Sequence, residues 1–201
     1  VPPLVASPSF AIRKRATRVF PLSHYIDSGS MTVTQAELLR AAIAERRNIL
    51  VSGGTGSGKT TLVNAILDEM VRLGEPSERF ILLEDTVELQ CTAENHTALR
   101  TTRHVDLATL VKATMRLNPD RIIIGEVRGR EALDLLKAWN TGHPGGCTTV
   151  NANNAIAALH GHVAPVTLGP AHRRWAHDLP GTQWQHRRFW RTPASPPGGG
   201  A

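Results

Sequence analysis

No apolar stretch in this 201-residue sequence approaches the length of a bilayer span. The longest runs, such as Ile122 to Ile124 beside Gly125, are a small fraction of the roughly 20 residues that a membrane helix needs. The chain does not open on the charged, apolar and small-residue succession of a secretory signal, so a cytoplasmic protein is expected. Cysteine is scarce: Cys91 and Cys147 lie far apart, which excludes a disulfide framework, a zinc ligand set and a C-x-x-C redox pair. Lysine is absent after residue 155, and acid there is limited to Asp178. What is present is a globular complement of apolar residues, 41% of the chain, which excludes wholesale disorder.

The formal charge of +6 invites a nucleic-acid reading, but the charge is unevenly placed. Arg13, Lys14, Arg15 and Arg18 stand at the start, and Arg173, Arg174, Arg187, Arg188 and Arg191 near the end. Between 22 and 155 there are 14 basic and 16 acidic residues. The centre therefore carries no basic excess, and direct nucleic-acid binding by it is not expected.

Three segments follow from the composition. Residues 1–21, proline-containing and basic, read as a linker or the end of a missing N-terminal domain. Residues 22–155 carry the periodic elements. Residues 156–201 hold five of nine histidines and three of four tryptophans, show no sustained period, and are expected to form a poorly ordered tail. A truncated or frame-shifted gene would produce such a break.

In the central segment, Thr34 and Glu37 have capping-box spacing and predict a helix through Arg46. Asn48 to Ser52 predicts a strand running into a glycine-rich turn, and Lys59 to Leu73 a helix closed by Gly74. The alternation repeats: a strand at Arg79 to Glu84, a helix at Asp106 to Leu117 capped by Asp106, and a strand at Arg121 to Val127. A helix at Glu131 to Trp139 and a strand at Cys147 to Asn151 complete it. Strands alternating with helices of this length predict an α/β fold with a mainly parallel sheet covered on both faces.

Gly53, Gly58, Lys59 and Thr60 satisfy G-x-x-x-x-G-K-[ST], between the strand and helix the motif requires. Backbone N–H groups must close around phosphate oxygens, which Cβ atoms would obstruct. Gly53, Gly54, Thr55, Gly56, Ser57 and Gly58 would form the cradle, and Lys59, Thr60 and Thr61 would begin the helix. Lys59 would reach the β and γ phosphates of ATP, Thr60 would ligate Mg²⁺, and the helix N-terminus would add partial positive charge. Two apolar strands end in acids, Arg121 to Glu126 and Phe80 to Glu84-Asp85, as hydrolysis of a bound triphosphate requires. Asp120 stands at the other end of its strand. An acid after a strand is commonly a solvated turn residue; two of them beside such a loop point to function.

Four motifs in order make a more specific match. Gly53 to Thr61, Glu84-Asp85-Thr86-Val87-Glu88, Gly125-Glu126-Val127-Arg128-Gly129 and Thr141-Gly142-His143-Pro144-Gly145-Gly146 resemble the Walker A, Asp box, atypical Walker B and His box of type II/IV secretion-system ATPases. The resemblance runs strongly from Asn48 to Asn154 and more weakly over Phe10 to Arg47. It implies a RecA-like P-loop NTPase core, incomplete at its C-terminal side. It implies Mg²⁺-dependent ATP hydrolysis in a homo-hexameric ring, peripheral to the cytoplasmic side of the inner membrane and serving a secretion or conjugation machinery. Carried onto this chain, Glu84 would polarise the attacking water, Glu126 would organise water and Mg²⁺, and Arg128 and His143 would join the nucleotide contacts. Arg100, Arg103, Arg116 and Arg128 are candidates for arginines inserted between subunits.

The chain departs from that family where Asn151 replaces the second His-box histidine, since an amide can hydrogen-bond phosphate but cannot carry a proton. If no later strand follows, the strand leading to the loop becomes a sheet edge. Three readings stay open: an active ATPase, a nucleotide-binding remnant that hydrolyses nothing, and a DNA-associated P-loop protein.

Overall fold

The computed structural model describes residues 18–129 and 131–152. Most of the linker and all of the tail expected from composition lie outside the described residues.

The described residues form ten elements. They are α1 (Leu22–Asp27), α2 (Val33–Ala44), β1 (Ile49–Gly53), α3 (Lys59–Leu73), β2 (Phe80–Glu84) and β3 (His96–Arg100), then α4 (Leu107–Thr114), β4 (Arg121–Val127), α5 (Glu131–Asn140) and β5 (Cys147–Asn151). The five strands form one sheet in the order β1-β5-β4-β2-β3, and all four pairings are parallel. β2 is buried along its whole length and β4 over its first four residues, as continuous apolar runs in a two-sided parallel sheet should be. One core packs α1, α2 and α3 against Val51, Phe80, Leu82, Ile123 and Cys147. The other packs α4 and α5 against Ile81, Leu83, Ile122, Ile124 and Val150. The alternation of partners along β2 and β4 is the period-2 geometry of a strand dividing two layers.

Several boundaries match the sequence reading, including Lys59–Leu73, Arg121–Val127 and Cys147–Asn151. Asp106 caps α4 as expected, its carboxylate accepting from Thr109 N at 2.9 Å. The capping box of α2 is two residues earlier than expected: Thr32 Oγ1 accepts from Gln35 N and Gln35 Oε1 accepts from Thr32 N. Thr34 already lies inside the helix, because Thr32 holds the extended backbone that a cap requires. α1 and β3 were not expected. β3 has the sequence HTALR, with alternating exposure at the sheet edge, and so lacks the apolar run that marks a central strand.

The amino ends of the strands are tied together by a buried ion network. Arg121, 2% exposed, donates from Nε to Glu78 Oε2 at 2.9 Å and from Nη1 to Gly145 O at 3.2 Å. Arg46 also pairs with Glu78. Asn48 Oδ1 accepts from the amides of Gly145 and Gly146, which fastens the turn entering β5 beside the start of β1.

Candidate functional site

The glycine-rich loop leaves the carboxyl end of β1 and enters α3. Gly56 and Gly58 hold φ of +73° and +86°, the left-handed region in which a side chain is strained. Gly58 is the N-cap of α3, so Lys59, Thr60 and Thr61 are its first three residues, whose amides have no acceptor within the helix. A Cβ on Gly53 would stand 2.6 Å from Ser57 Oγ, so a side chain there requires the Ser57 hydroxyl to turn away. The turn is held by Ser57 N donating to Gly54 O at 3.3 Å. The result is a tight glycine turn that leads into a helix N-terminus with free amides, a setting that favours an anion.

Lys59 reaches back over this loop. Its Nζ donates to Gly54 O at 2.8 Å and to Asn151 Oδ1 at 2.7 Å. Asn151 ends β5, and its Nδ2 donates to Glu126 Oε1. Glu126 Oε2 in turn accepts from Arg128 Nη2 at 2.6 Å. The loop lysine, the strand-end amide and the β4 carboxylate therefore form one chain of contacts. Partial burial lowers the Lys59 pKa, and the Glu126 charge opposes that shift. The Glu126 hydrogen bond and charge raise that of Arg128. Glu126 reaches Asn151 because the β4–β5 register shifts between Ile124 and Val127.

Glu84, at the end of β2, is 3% exposed and lies against Gly125. Its Oε1 accepts from Glu88 N at 2.7 Å and Leu89 N at 2.6 Å. The geometry therefore joins Glu84 to the segment that follows it, and joins Glu126 to the loop. Asn64 completes that segment's anchorage, donating to Glu88 O at 3.0 Å and accepting from Gln90 N at 2.9 Å. Sequence reasoning missed Asn64. The signal was a buried amide among Val63, Ala65 and Ile66 on the core face of α3.

His143 is not brought to the loop. It precedes β5 by four residues, and its Nδ1 is 2.7 Å from Pro119 O, just before β4. Because β1, β4 and β5 run parallel, that is the opposite end of the sheet from Gly53 to Lys59. Within this chain His143 fastens a turn, which corrects its expected place among the nucleotide contacts.

Arg128 turns outward, with 67% of its side chain exposed. It lines an open cleft of about 440 Å³ beyond the carboxyl ends of the strands, together with Asp85, Asp106, Glu126 and Glu131. Arg100 and Arg103 follow at the end of β3 and in the next turn, and Arg116 lies after α4, all exposed.

The sequence and the fold both have counterparts. The family described as Type II/IV secretion system protein matches residues 1–161. Over 159 residues the chain is 58% identical to conjugal transfer protein TrbB of Rhizobium radiobacter, covering 79% of this chain and 49% of that protein. It is 37% identical to type IV secretion system protein PtlH of Bordetella pertussis, covering 75% and 52%. Among solved structures, the VirB11 ATPase from the Brucella suis type IV secretion system, in complex with sulphate, superposes with a TM-score of 0.57 at 31% identity, over 74% of this chain and 50% of that one. The pilus retraction motor PilT with bound ADP shares the fold, with a TM-score of 0.59 at 24% identity over 80% and 45%. The chain thus spans about half the length of the curated relatives it matches, and the RecA-like α/β architecture expected from its sequence is shared with these neighbours.

Proposed function

Because this chain belongs to the type II/IV secretion system protein family, we propose that it is the nucleotide-binding core of an ATPase that powers a type IV secretion or conjugal transfer apparatus. The observation that carries the reading is Lys59, folded over a left-handed glycine loop and connected through Asn151 to the Glu126 carboxylate. The loop amides and Lys59 would hold the phosphates of ATP. The Thr60 hydroxyl and the Glu126 carboxylate are hard oxygen donors of the type Mg²⁺ takes, and would hold it beside the phosphates. Bound Mg²⁺ supplies positive charge that offsets the charge developing on the transferred phosphoryl group. Glu126, held from both sides by Asn151 and Arg128, would orient the attacking water. Glu84 would act beside it, with its carboxylate kept in place by the Glu88 and Leu89 amides.

The same reading places the protein in a homo-hexamer at the cytoplasmic side of the inner membrane. Among the described residues no helix is long and apolar enough to cross a membrane. Arg128, paired with Glu126 and turned toward an open cleft, is the candidate for a charge shared with a neighbouring subunit. Residues 22–155 would form the core, and the basic ends would take no part in the phosphate site.

Phosphate release from Mg-ATP tests the proposal. It is expected to vanish with Lys59→Ala and to fall at least about a hundredfold with Glu126→Gln, as loss of a group that stabilises or orients the reacting centre should cause. Unchanged turnover in Lys59→Ala would refute the phosphate cradle. A second reading, nucleotide binding without hydrolysis, is favoured by one observation: β1 is the edge of the sheet among the described residues. Tight binding of a fluorescent ATP analogue by a monomer with no phosphate release would establish it instead.

A further inference from the structure

Asn151 stands between two groups of opposite charge. Its Oδ1 accepts from the Lys59 ammonium at 2.7 Å, and its Nδ2 donates to the Glu126 carboxylate. Lys59 and Glu126 do not form a direct ion pair; the ion pair of Glu126 is made with Arg128. The position is imposed by the sheet, because Asn151 is the register partner of Gly53, and the shifted β4–β5 register swings Glu126 toward it.

We propose that Asn151 is a positioning residue, a neutral spacer that hydrogen-bonds both charges and keeps the loop lysine from collapsing onto the Glu126 carboxylate. The inference rests on the reading of the loop as a nucleotide site. An ammonium held by an amide oxygen and a backbone carbonyl can exchange both neutral acceptors for phosphate oxygens with a gain, because the phosphate adds the attraction of an opposite charge that the amide and the carbonyl lack. An ammonium already paired with a carboxylate would have to give up an equivalent bond. The amide is suited to the place because it offers one acceptor and two donors on a short, fixed stem. It lets Lys59 and Glu126 sit close enough for one to take phosphate and the other to act beside it.

The test is the affinity of the full chain for ADP in EDTA, which reads the lysine–phosphate contact without a metal. Asn151→Ala opens the space and lets Lys59 meet Glu126; affinity is expected to fall about fivefold, the effect of one partly solvated ion pair. Asn151→Leu keeps the two charges apart but offers neither a hydrogen bond, and is expected to lose clearly less affinity than Asn151→Ala. The distinguishing arm is Asn151→Ala combined with Glu126→Gln, where no carboxylate remains to capture the lysine. There the loss is expected to disappear relative to Glu126→Gln alone. Unchanged affinity in Asn151→Ala overturns the proposal, as does an equal loss in the Glu126→Gln background or a fivefold loss in Asn151→Leu. Asn151 is exposed at a strand end, so thermal unfolding of the single variants is expected to match that of the unaltered chain. A chain that binds no ADP, with Lys59→Ala no different, removes the nucleotide reading and this inference with it. Binding that is abolished by Lys59→Ala but indifferent to Asn151 removes only the inference.

Discussion

Gly53 and Asn151 are register partners at the carboxyl ends of adjacent parallel strands. The residue that opens the glycine loop and the residue that holds Lys59 therefore stand side by side, although 97 positions of sequence lie between them. Site geometry depends on that alignment.

Gly58 is the N-cap of α3 at φ +86°. An L side chain there costs about 1–2 kcal/mol if the conformation is kept. Gly58→Ala should therefore lower unfolding free energy by about that amount if the loop is kept, or spare the fold by turning the loop amides away. In both cases affinity for a nucleotide falls, and paired denaturation and binding measurements would read the two effects separately.

The Arg121–Glu78 pair is buried on both sides, with side chains 3% and 6% exposed. Removing Arg121 leaves the buried Glu78 carboxylate with the partly exposed Arg46 as its remaining ion-pair partner. Arg121→Met is expected to cost about 3–5 kcal/mol, and Arg121→Met with Glu78→Leu appreciably less. Urea denaturation of the single and double variants gives the comparison; a double variant worse than the sum of the singles would contradict it.

Glu69 on α3 bonds Arg40 of α2 at 2.7 Å and Arg72 at 3.2 Å. Burial alone would raise the Glu69 pKa, but the hydrogen bonds and charges of Arg72 and Arg40 outweigh it and hold the carboxyl below its ordinary range. A carboxyl lowered on folding stabilises the protein above its unfolded pKa, near 4.3, and loses that contribution as pH falls through the folded value. Glu69→Gln should thus cost about 1 kcal/mol at pH 7. The gap between the two proteins should close as the pH is taken below the carboxylate range.

Cys147, the first residue of β5, is 1% exposed, and burial pushes its thiol up to about 12. Thiolate, not thiol, is the nucleophile, so Cys147 should resist alkylation until the protein unfolds. Cys91 is half-buried and also raised by burial, with a backbone hydrogen bond from Ala93 opposing the shift. It should react first, slowly. Iodoacetamide labelling followed by peptide mapping, in buffer and in denaturant, distinguishes the two sites.

What could be read without coordinates was the part written in contiguous residues. The α3 boundaries, the apolar β4 run and the Asp106 cap follow from local period and capping chemistry, and the structure places them as read. β3 escaped notice because half of its side chains face solvent, so its pairing with β2, not its own composition, makes it a strand. The α2 cap was misplaced by two residues because Thr32 and Thr34 both have a partner at the right spacing, and only backbone conformation chooses between them.

The site divides in the same way. The amino-acid sequence alone specified a glycine turn running into a helix that opens on Lys59, since the positive φ of Gly56 and Gly58 is a local requirement of backbone geometry. Tertiary structure decided which distant groups meet it: strand order and register carry Asn151 and Glu126 to Lys59 and leave His143 at the far end of the sheet. Spacing along a chain cannot encode that choice, because a parallel strand delivers its two ends to opposite edges of the fold, and neighbours across strands are set by pairing that no single segment contains.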